Sequence, residues 1–590
     1  MLTRKCRSFR SSSTKGGRVV VIAFTALLLS GFGLIPIMQG EAAAQNLDYT
    51  QPFVHDIQMP SPDNMGPDVY LEAPGVLSSP PDNPEVGDSW YWWLWVHDPM
   101  PPHYVYESCT VRGKSDRGYV VVRDSEWNVS INQAEVDIIM ERWENTSPGP
   151  YPNQGVYEID SIAFGTPPDE MDEDPRIYLM WFDFVISADG FFFWFDQYPE
   201  GQNPPNHSNE CEVLYLSTGS SGGGPGSDYM LAVAAHEFQH MIHWKYDDDE
   251  VTWVNESLSE LAMWLYGNPD NISMFNSNPD NNLTEWDATW ADYIQTYLWA
   301  LYFYEQYGGH ETTYALVHEP LNSIAGYEAV LDDFGYSENF ADIFADWAVA
   351  NFLDDTTIED GRFGYEGDDL PPFNVSGTYS TYPVSDIYKT VNHWAADYYR
   401  FQDFDGFQTL LLSFDGNDSN AYAVWALAQY GNGTTEVLRM TLEESSQTGE
   451  INVMDLTDPN DVVILVVAST SSTGGTGYYF SADANVGIED DVVIIPPVLQ
   501  LQAIPNPFST SVILQLNFAG ISMIENPEIE IYDMHGRMIN RLSATLTSEN
   551  EATLIWNGHL EDGSPANPGL YYARIDAGST RGVVKLLYLP

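Results

Sequence analysis

The chain has 590 residues, with 86 acidic against 22 basic side chains and a formal net charge of -64 at pH 7. Such a length exceeds what a single core serves and implies about three to five domains. So large a negative charge excludes recognition of a phosphate backbone and a polybasic attachment to membrane surfaces, and it fits a solvated acidic surface, salt tolerance or calcium sites.

Arg4, Lys5, Arg7, Arg10, Lys15 and Arg18 precede the apolar run VVVIAFTALLLSGFGLIPI, which gives way to Glu41-Ala42-Ala43-Ala44. This order predicts a secretory signal over 1–44, cleaved after Ala44, with no integral membrane span in the remaining chain; the alternative is an uncleaved membrane anchor. Cys6 leaves with that segment. Cys109 and Cys211 are then the pair that an exporting compartment would oxidise, provided their Cα atoms come within about 7 Å.

From Gln45 to about Glu85 the chain is rich in Pro, Asp and Gly and reads as an extended lead-in or a pro-segment. SWYWWLWVHD, HYVYESCTVRG and GYVVVRD, between 89 and 124, have strand composition and predict a small β unit within 45–130. At INQAEVDIIMERWENT the period changes: Val136, Ile139, Met140 and Trp143 recur at helical intervals, with Ser130 or Asn132 as the N-cap. This helix opens the expected catalytic domain, 131–355. GVYEIDSIAFG, RIYLMWFDF, GFFFWFD and CEVLYLST read as strands of a sheet, one edge of which could hold a peptide by strand addition. SSGGGPGSD (220–228) reads as a flexible connector or a gate.

Residues 231–262, LAVAAHEFQHMIHWKYDDDEVTWVNESLSELA, carry the chemistry. His236 and His240 stand four apart on a helix and can aim both imidazoles at one ion, with Glu237 beside them, as in H-E-x-x-H zinc sites. His243 and Tyr246 stand where a metzincin needs Gly and a third His, so that pattern fails. His243 reads as packing or a substrate contact. Glu256, on the next predicted helix, takes the place of third ligand. Zinc bound there would lower the pKa of water to about 7 and polarise the scissile carbonyl, with Glu237 as general base.

The N-E-x-x-S-E setting of Glu256 resembles the N-E-x-x-S-D helix of thermolysin-like gluzincins, which implies that Glu260 orients His236 or else is a helix-surface acid. Tyr293 opens the helical run 292–309. A resemblance to aminopeptidase-type gluzincins would make it the donor to the tetrahedral intermediate, with Tyr297 as rival, although Thr296 departs from the Gly usual in those enzymes. HEFQHMIHW with WVNESLSELA looks like the hyicolysin-like and immune-inhibitor-A-like secreted bacterial metallopeptidases. That resemblance implies a zinc-dependent endopeptidase acting on protein or peptide. The alternative is a surface adhesin or glycan-binding protein with an inactive zincin domain.

Further helical runs, YEAVLDDFG and ENFADIFADWAVANFL, end the catalytic unit near Asp355, and a linker spans 356–384. Seven strand-like runs over 385–488 predict a β-sandwich. Within it Asp415-Gly416-Asn417-Asp418 reads as an acidic hairpin turn or a Ca2+ loop. After a bridge at 489–499, residues 500–590 again alternate strands and turns. Pro505-Asn506-Pro507-Phe508, Trp556-Asn557-Gly558, Asp562-Gly563, Pro568-Gly569-Leu570-Tyr571-Tyr572 and Lys585 resemble a type A sorting domain of the type IX secretion system. This implies an immunoglobulin-like module recognised by outer-membrane secretion machinery. The expected fold is thus multidomain: an α+β zincin domain, a β-sandwich and an immunoglobulin-like C-terminal sandwich, secreted or held at the cell surface.

Overall fold

The structure, a computed structural model, describes residues 65–71, 80–98, 100–184, 188–367, 370–485, 500–517, 528–543, 545–546, 551–577 and 580–589. The expected signal segment 1–44, the lead-in up to 64 and the bridge 489–499 lie outside them. Two compact units meet in the chain between Phe373 and Asn374.

The first unit is a sheet with helices. Its strands are β1 (Val69–Tyr70), β2 (Ser89–Val96), β3 (His103–Lys114), β4 (Gly118–Arg123), β5 (Ile177–Phe182), β6 (Gly190–Phe192) and β7 (Val213–Ser217). The order is β1-β3-β4-β5-β7-β6, with β2 paired to β3. Alternate residues, such as Tyr119 and Val121, Tyr178 and Met180, and Val213 and Tyr215, point to one aromatic core, as the two-residue period of a strand requires.

The expected boundary at 130/131 does not divide this sheet. β4 pairs in parallel with β5, from Gly118 opposite Ile177 to Val122 opposite Trp181. Parallel neighbours need a crossover, and the intervening helices α1 (Gln133–Glu144) and α2 (Val156–Ala163) supply it. α1 starts at Asn132, whose side chain caps the helix reciprocally with Glu135. α2 replaces the strand expected at GVYEIDSIAFG. Its buried residues Val156, Ile159, Asp160 and Ala163 follow the helical period, which outweighs the β-branched composition.

α3 (Asp228–Tyr246) packs on β6 and β7. Its cap is Ser227, which accepts from the Met230 N–H at 3.2 Å. Gly222, before it, is needed for space, since a Cβ there would meet the Tyr229 ring at 2.2 Å. α4 (Thr252–Tyr266) lies against α3 and ends at Gly267 in the left-handed conformation. α5 (Trp290–Gln306), α6 (His310–Val317), α7 (Ile324–Phe334) and α8 (Phe340–Leu353) complete the helical part. The chain beyond Asp355 is not a free linker: Glu305 accepts from the N–H groups of Glu366 and Gly367, and Asp354 from those of Tyr365 and Leu370.

Cys109 and Cys211 are both buried in the aromatic core, and no disulfide joins them. Burial raises both thiols well above their usual pKa, which keeps them protonated and unreactive.

In the second unit, β8 (Gly377–Tyr379), β9 (Val384–Thr390), β10 (Ala396–Phe401), β11 (Thr409–Gly416), β12 (Tyr422–Gln429), β13 (Thr435–Arg439), β14 (Thr448–Val453), β15 (Val462–Ser469) and β16 (Gly477–Asn485) form two sheets. Their orders are β13-β12-β15-β10-β8 and β14-β11-β16-β9. Residues 415–418 therefore carry the chain from one sheet to the other and do not close a hairpin. Asn417 Oδ1 shapes that turn by accepting from the N–H and the hydroxyl of Ser419.

The last strands are β17 (Gln500–Ile504), β18 (Val512–Asn517), β19 (Glu528–Asp533), β20 (Met538–Ser543), β21 (Thr545–Leu546), β22 (Glu551–Trp556), β23 (Gly569–Ala577) and β24 (Thr580–Tyr588). They form the sheets β17-β18-β22-β21 and β20-β19-β23-β24, with Trp556 wholly buried. Among the described residues no helix is long and apolar enough to cross a membrane.

Candidate metal centre

α3 and α4 bring four of the expected site residues together. Nε2 of His236 and Nε2 of His240 are 3.1 Å apart. Glu256 Oε2 lies 3.3 Å from the first and 3.7 Å from the second. Four-coordinate zinc with bonds of about 2.0–2.1 Å sets its ligand atoms about 3.3 Å apart, so the three positions suit one ion of that size.

The other nitrogen of each imidazole faces oxygen. His236 Nδ1 is 3.3 Å from Glu260 Oε1, and His240 Nδ1 donates to Asn255 Oδ1 at 2.7 Å, with Ser259 Oγ at 3.1 Å. The Ser259 hydroxyl in turn donates to Gln239 Oε1. Asn255 Oδ1 places the His240 proton on Nδ1, and the carboxylate beside His236 Nδ1 favours the same tautomer there, which leaves both Nε2 atoms as lone-pair donors. Two such donors and a carboxylate oxygen, converging in a buried place, repel one another unless a cation lies between them. The donor set therefore fits a divalent cation of the zinc type.

Glu237 is enclosed, 1% exposed, and turned toward β6. A Cβ on Gly190 would meet its Cγ at 2.9 Å and its Oε1 at 3.0 Å, so glycine at the start of β6 is what lets the strand lie against this carboxylate. β6 ends the sheet and has no partner on its outer side among the described residues. A cleft of about 360 Å³ runs between Phe192, Phe193, Trp194 and Phe195 on one side and His240, Trp244, Asn255 and Glu256 on the other. A larger cavity, about 730 Å³, is lined by Trp264, Tyr304 and Glu305 and includes none of the three converging residues.

Tyr293 and Tyr297 are buried on α5, and neither lines the cleft. The Tyr293 ring packs edge-on to Trp286 at 4.7 Å. Thr296 returns its hydroxyl to the carbonyls of Asp292 and Tyr293. Asn255 and Ser259, which hold His240, and Gln239, which holds Ser259, are not singled out by the sequence. Their signal was the N-E-x-x-S spacing, which puts Asn255 and Ser259 one turn apart. The cleft aromatics Phe192, Trp194 and Trp244 had no signal beyond composition.

Pro505 to Phe508 lie along β24. Asn506 donates to the Lys585 carbonyl at 2.6 Å and accepts from the Leu587 N–H at 2.8 Å, while the Phe508 N–H donates to the Leu587 carbonyl. Residues 502–588 match the family described as a secretion system C-terminal sorting domain. The protein is therefore secreted or attached to the cell surface, and this segment addresses it to the type IX secretion machinery. No curated protein matches the chain.

Several solved structures overlap parts of it. CopC from Methylosinus trichosporium OB3b shares 19% identity over 16% of this chain and 95% of its own, with a TM-score of 0.13. Dimeric latent PorU from Porphyromonas gingivalis shares 16% identity over 35% of this chain and 20% of its own, with a TM-score of 0.16. The adhesin domain of Epf from Streptococcus pyogenes shares 12% identity over 35% of this chain and 72% of its own, with a TM-score of 0.13.

Proposed function

We propose that the protein is a secreted zinc-dependent metalloendopeptidase whose first unit is an α+β zincin domain. What carries this reading is the convergence of His236, His240 and Glu256 at 3.1, 3.3 and 3.7 Å, with His240 and Glu256 on the wall of a cleft bounded by an edge strand. These three residues would hold the ion. When bound, zinc supplies Lewis acidity, polarising a carbonyl and bringing the pKa of water to about 7.

The chain's own groups do the rest. Glu260 and Asn255 keep the protons of His236 and His240 on Nδ1 and so preserve Nε2 as the donor atom. Glu237, shielded against Gly190, takes a proton from the attacking water and returns it to the leaving amine. The outer edge of β6 offers its backbone to an extended peptide, and Phe192, Trp194 and Trp244 give apolar surface to its side chains. Tyr293, whose ring packs edge-on to Trp286, is assigned no step in this scheme.

The test is to incubate the zinc-loaded and the chelated protein with a mixed peptide library and read the cut sites by mass spectrometry. Internal cuts that disappear with the chelator are expected. No cleavage in either sample, or cleavage indifferent to the chelator, rejects the reading.

A further inference from the structure

One turn beyond His240, a second group of donors gathers. His243 on α3, Asp247 at its C-terminal cap and Glu250 before α4 each offer a ligand atom, all within 4.8 Å of one another. His243 is fully enclosed, and its Nε2 has no hydrogen-bond partner among the described residues. The same holds for Asp247 Oδ2 and Glu250 Oε2. The remaining atoms of two of these side chains are engaged. Gln239 Nε2 stands 3.3 Å from His243 Nδ1; with that amide turned over, its oxygen accepts from Nδ1–H and its nitrogen donates to Ser259 Oγ, which leaves His243 Nε2 as a lone-pair donor, and Glu250 Oε1 accepts from the N–H groups of Val251 at 2.6 Å and Ser323 at 2.9 Å.

Each of the three side chains keeps one buried polar atom without a partner, which is costly, and an imidazole–carboxylate hydrogen bond, the simplest remedy, does not form. For three atoms no more than 4.8 Å apart there is a point within about 2.8 Å of all of them. An inward shift of well under 1 Å brings each to the 2.0–2.2 Å of a typical zinc bond, roughly the freedom of a carboxylate arm. We propose that His243, Asp247 and Glu250 bind a second divalent metal ion, which ties the end of α3 to the start of α4.

One imidazole and two carboxylates select zinc or manganese over calcium, which prefers oxygen alone. Burial pushes the Asp247 carboxyl up to about 6 and that of Glu250 to about 7, and a cation offsets this cost of desolvation. The ion has a consequence for the first centre, because Glu256 lies on α4 and His240 on α3. Fixing the connection between these helices fixes the third ligand of the first ion relative to the second. The proposal stands independently of the peptidase reading.

The experiment is elemental analysis of the full-length protein, loaded with zinc and freed of loose metal by gel filtration. About two zinc ions per chain are expected, about one in Glu256→Gln, one in Glu250→Gln or His243→Gln, and none when Glu250→Gln and Glu256→Gln are combined. Added zinc should still raise the unfolding temperature of metal-free Glu256→Gln, and not that of the double variant. A wild-type content of one zinc, removed by Glu256→Gln, overturns the second site and leaves the first standing. A content of one removed by Glu250→Gln alone supports this site and overturns the first. The wild-type stoichiometry decides between one ion and two even if a variant does not fold.

Discussion

Glu260 Oε1 stands 3.3 Å from Nδ1 of His236, with both side chains fully enclosed. A carboxylate so placed fixes the tautomer and raises the donor strength of the far nitrogen. Glu260→Gln is expected to weaken zinc binding at the first centre by about 10- to 100-fold. Competition against a chromogenic chelator measures this, and an unchanged affinity would remove Glu260 from the role.

Glu237→Gln keeps the shape of the side chain and loses the base. Metal content should match the parent, while casein hydrolysis falls by about 10²- to 10⁴-fold. If the variant cleaved casein at the parental rate, Glu237 would not be the proton carrier.

Gly190→Ala places a methyl 2.7 Å from Val233 Cγ1 and 2.9 Å from Glu237 Cγ. Either the edge strand or the carboxylate must move. Overpacking of this kind costs about 1–3 kcal/mol, so a lower melting temperature and a fall in kcat with metal retained are expected. Full activity and unchanged stability would mean that β6 and Glu237 are not in close register in solution.

Burial raises the Asp196 carboxyl to about 7, against hydrogen bonds from the Asn209 N–H and the Tyr215 hydroxyl that favour its ionised form. The folded chain therefore holds a proton that the unfolded chain releases near pH 4. Its contribution to stability is fully present below about pH 4 and is lost as the pH rises toward about 7. Asp196→Asn cannot ionise, so its melting temperature relative to the parent should rise across this window. Thermal melts from pH 4 to 7.5 test this, and a constant difference contradicts it.

In the C-terminal sandwich, Asn506→Ala removes the two hydrogen bonds that join this residue to β24. Loss of about 1–3 kcal/mol is expected, together with a smaller share of the protein in the culture medium. Fractionation of an expressing strain by immunoblot would show it, and export at the parental level would separate Asn506 from sorting.

Much of this was legible beforehand where the signal is local. His236 and His240 share a helix face because of their spacing, and α1, α5 and the strands around RIYLMWFDF and CEVLYLST follow from period and composition. GVYEIDSIAFG misled because β-branched residues also occupy the buried face of a short helix. α6 is not legible in the sequence for a related reason: eight residues are too few for a period to stand out.

By itself, then, the sequence determined the composition of the donor set and the register of each ligand along its own helix, since these depend on residues a few places apart. Only the tertiary structure decided that Glu256 reaches both imidazoles, that His243 faces Asp247 and Glu250, that the strands before 130 share a sheet with those after it, and that the two cysteines are not bonded. Those relationships arise from the packing of α3 against α4 and from parallel pairing across a helical crossover, and contacts between distant segments leave no periodic trace in either one alone.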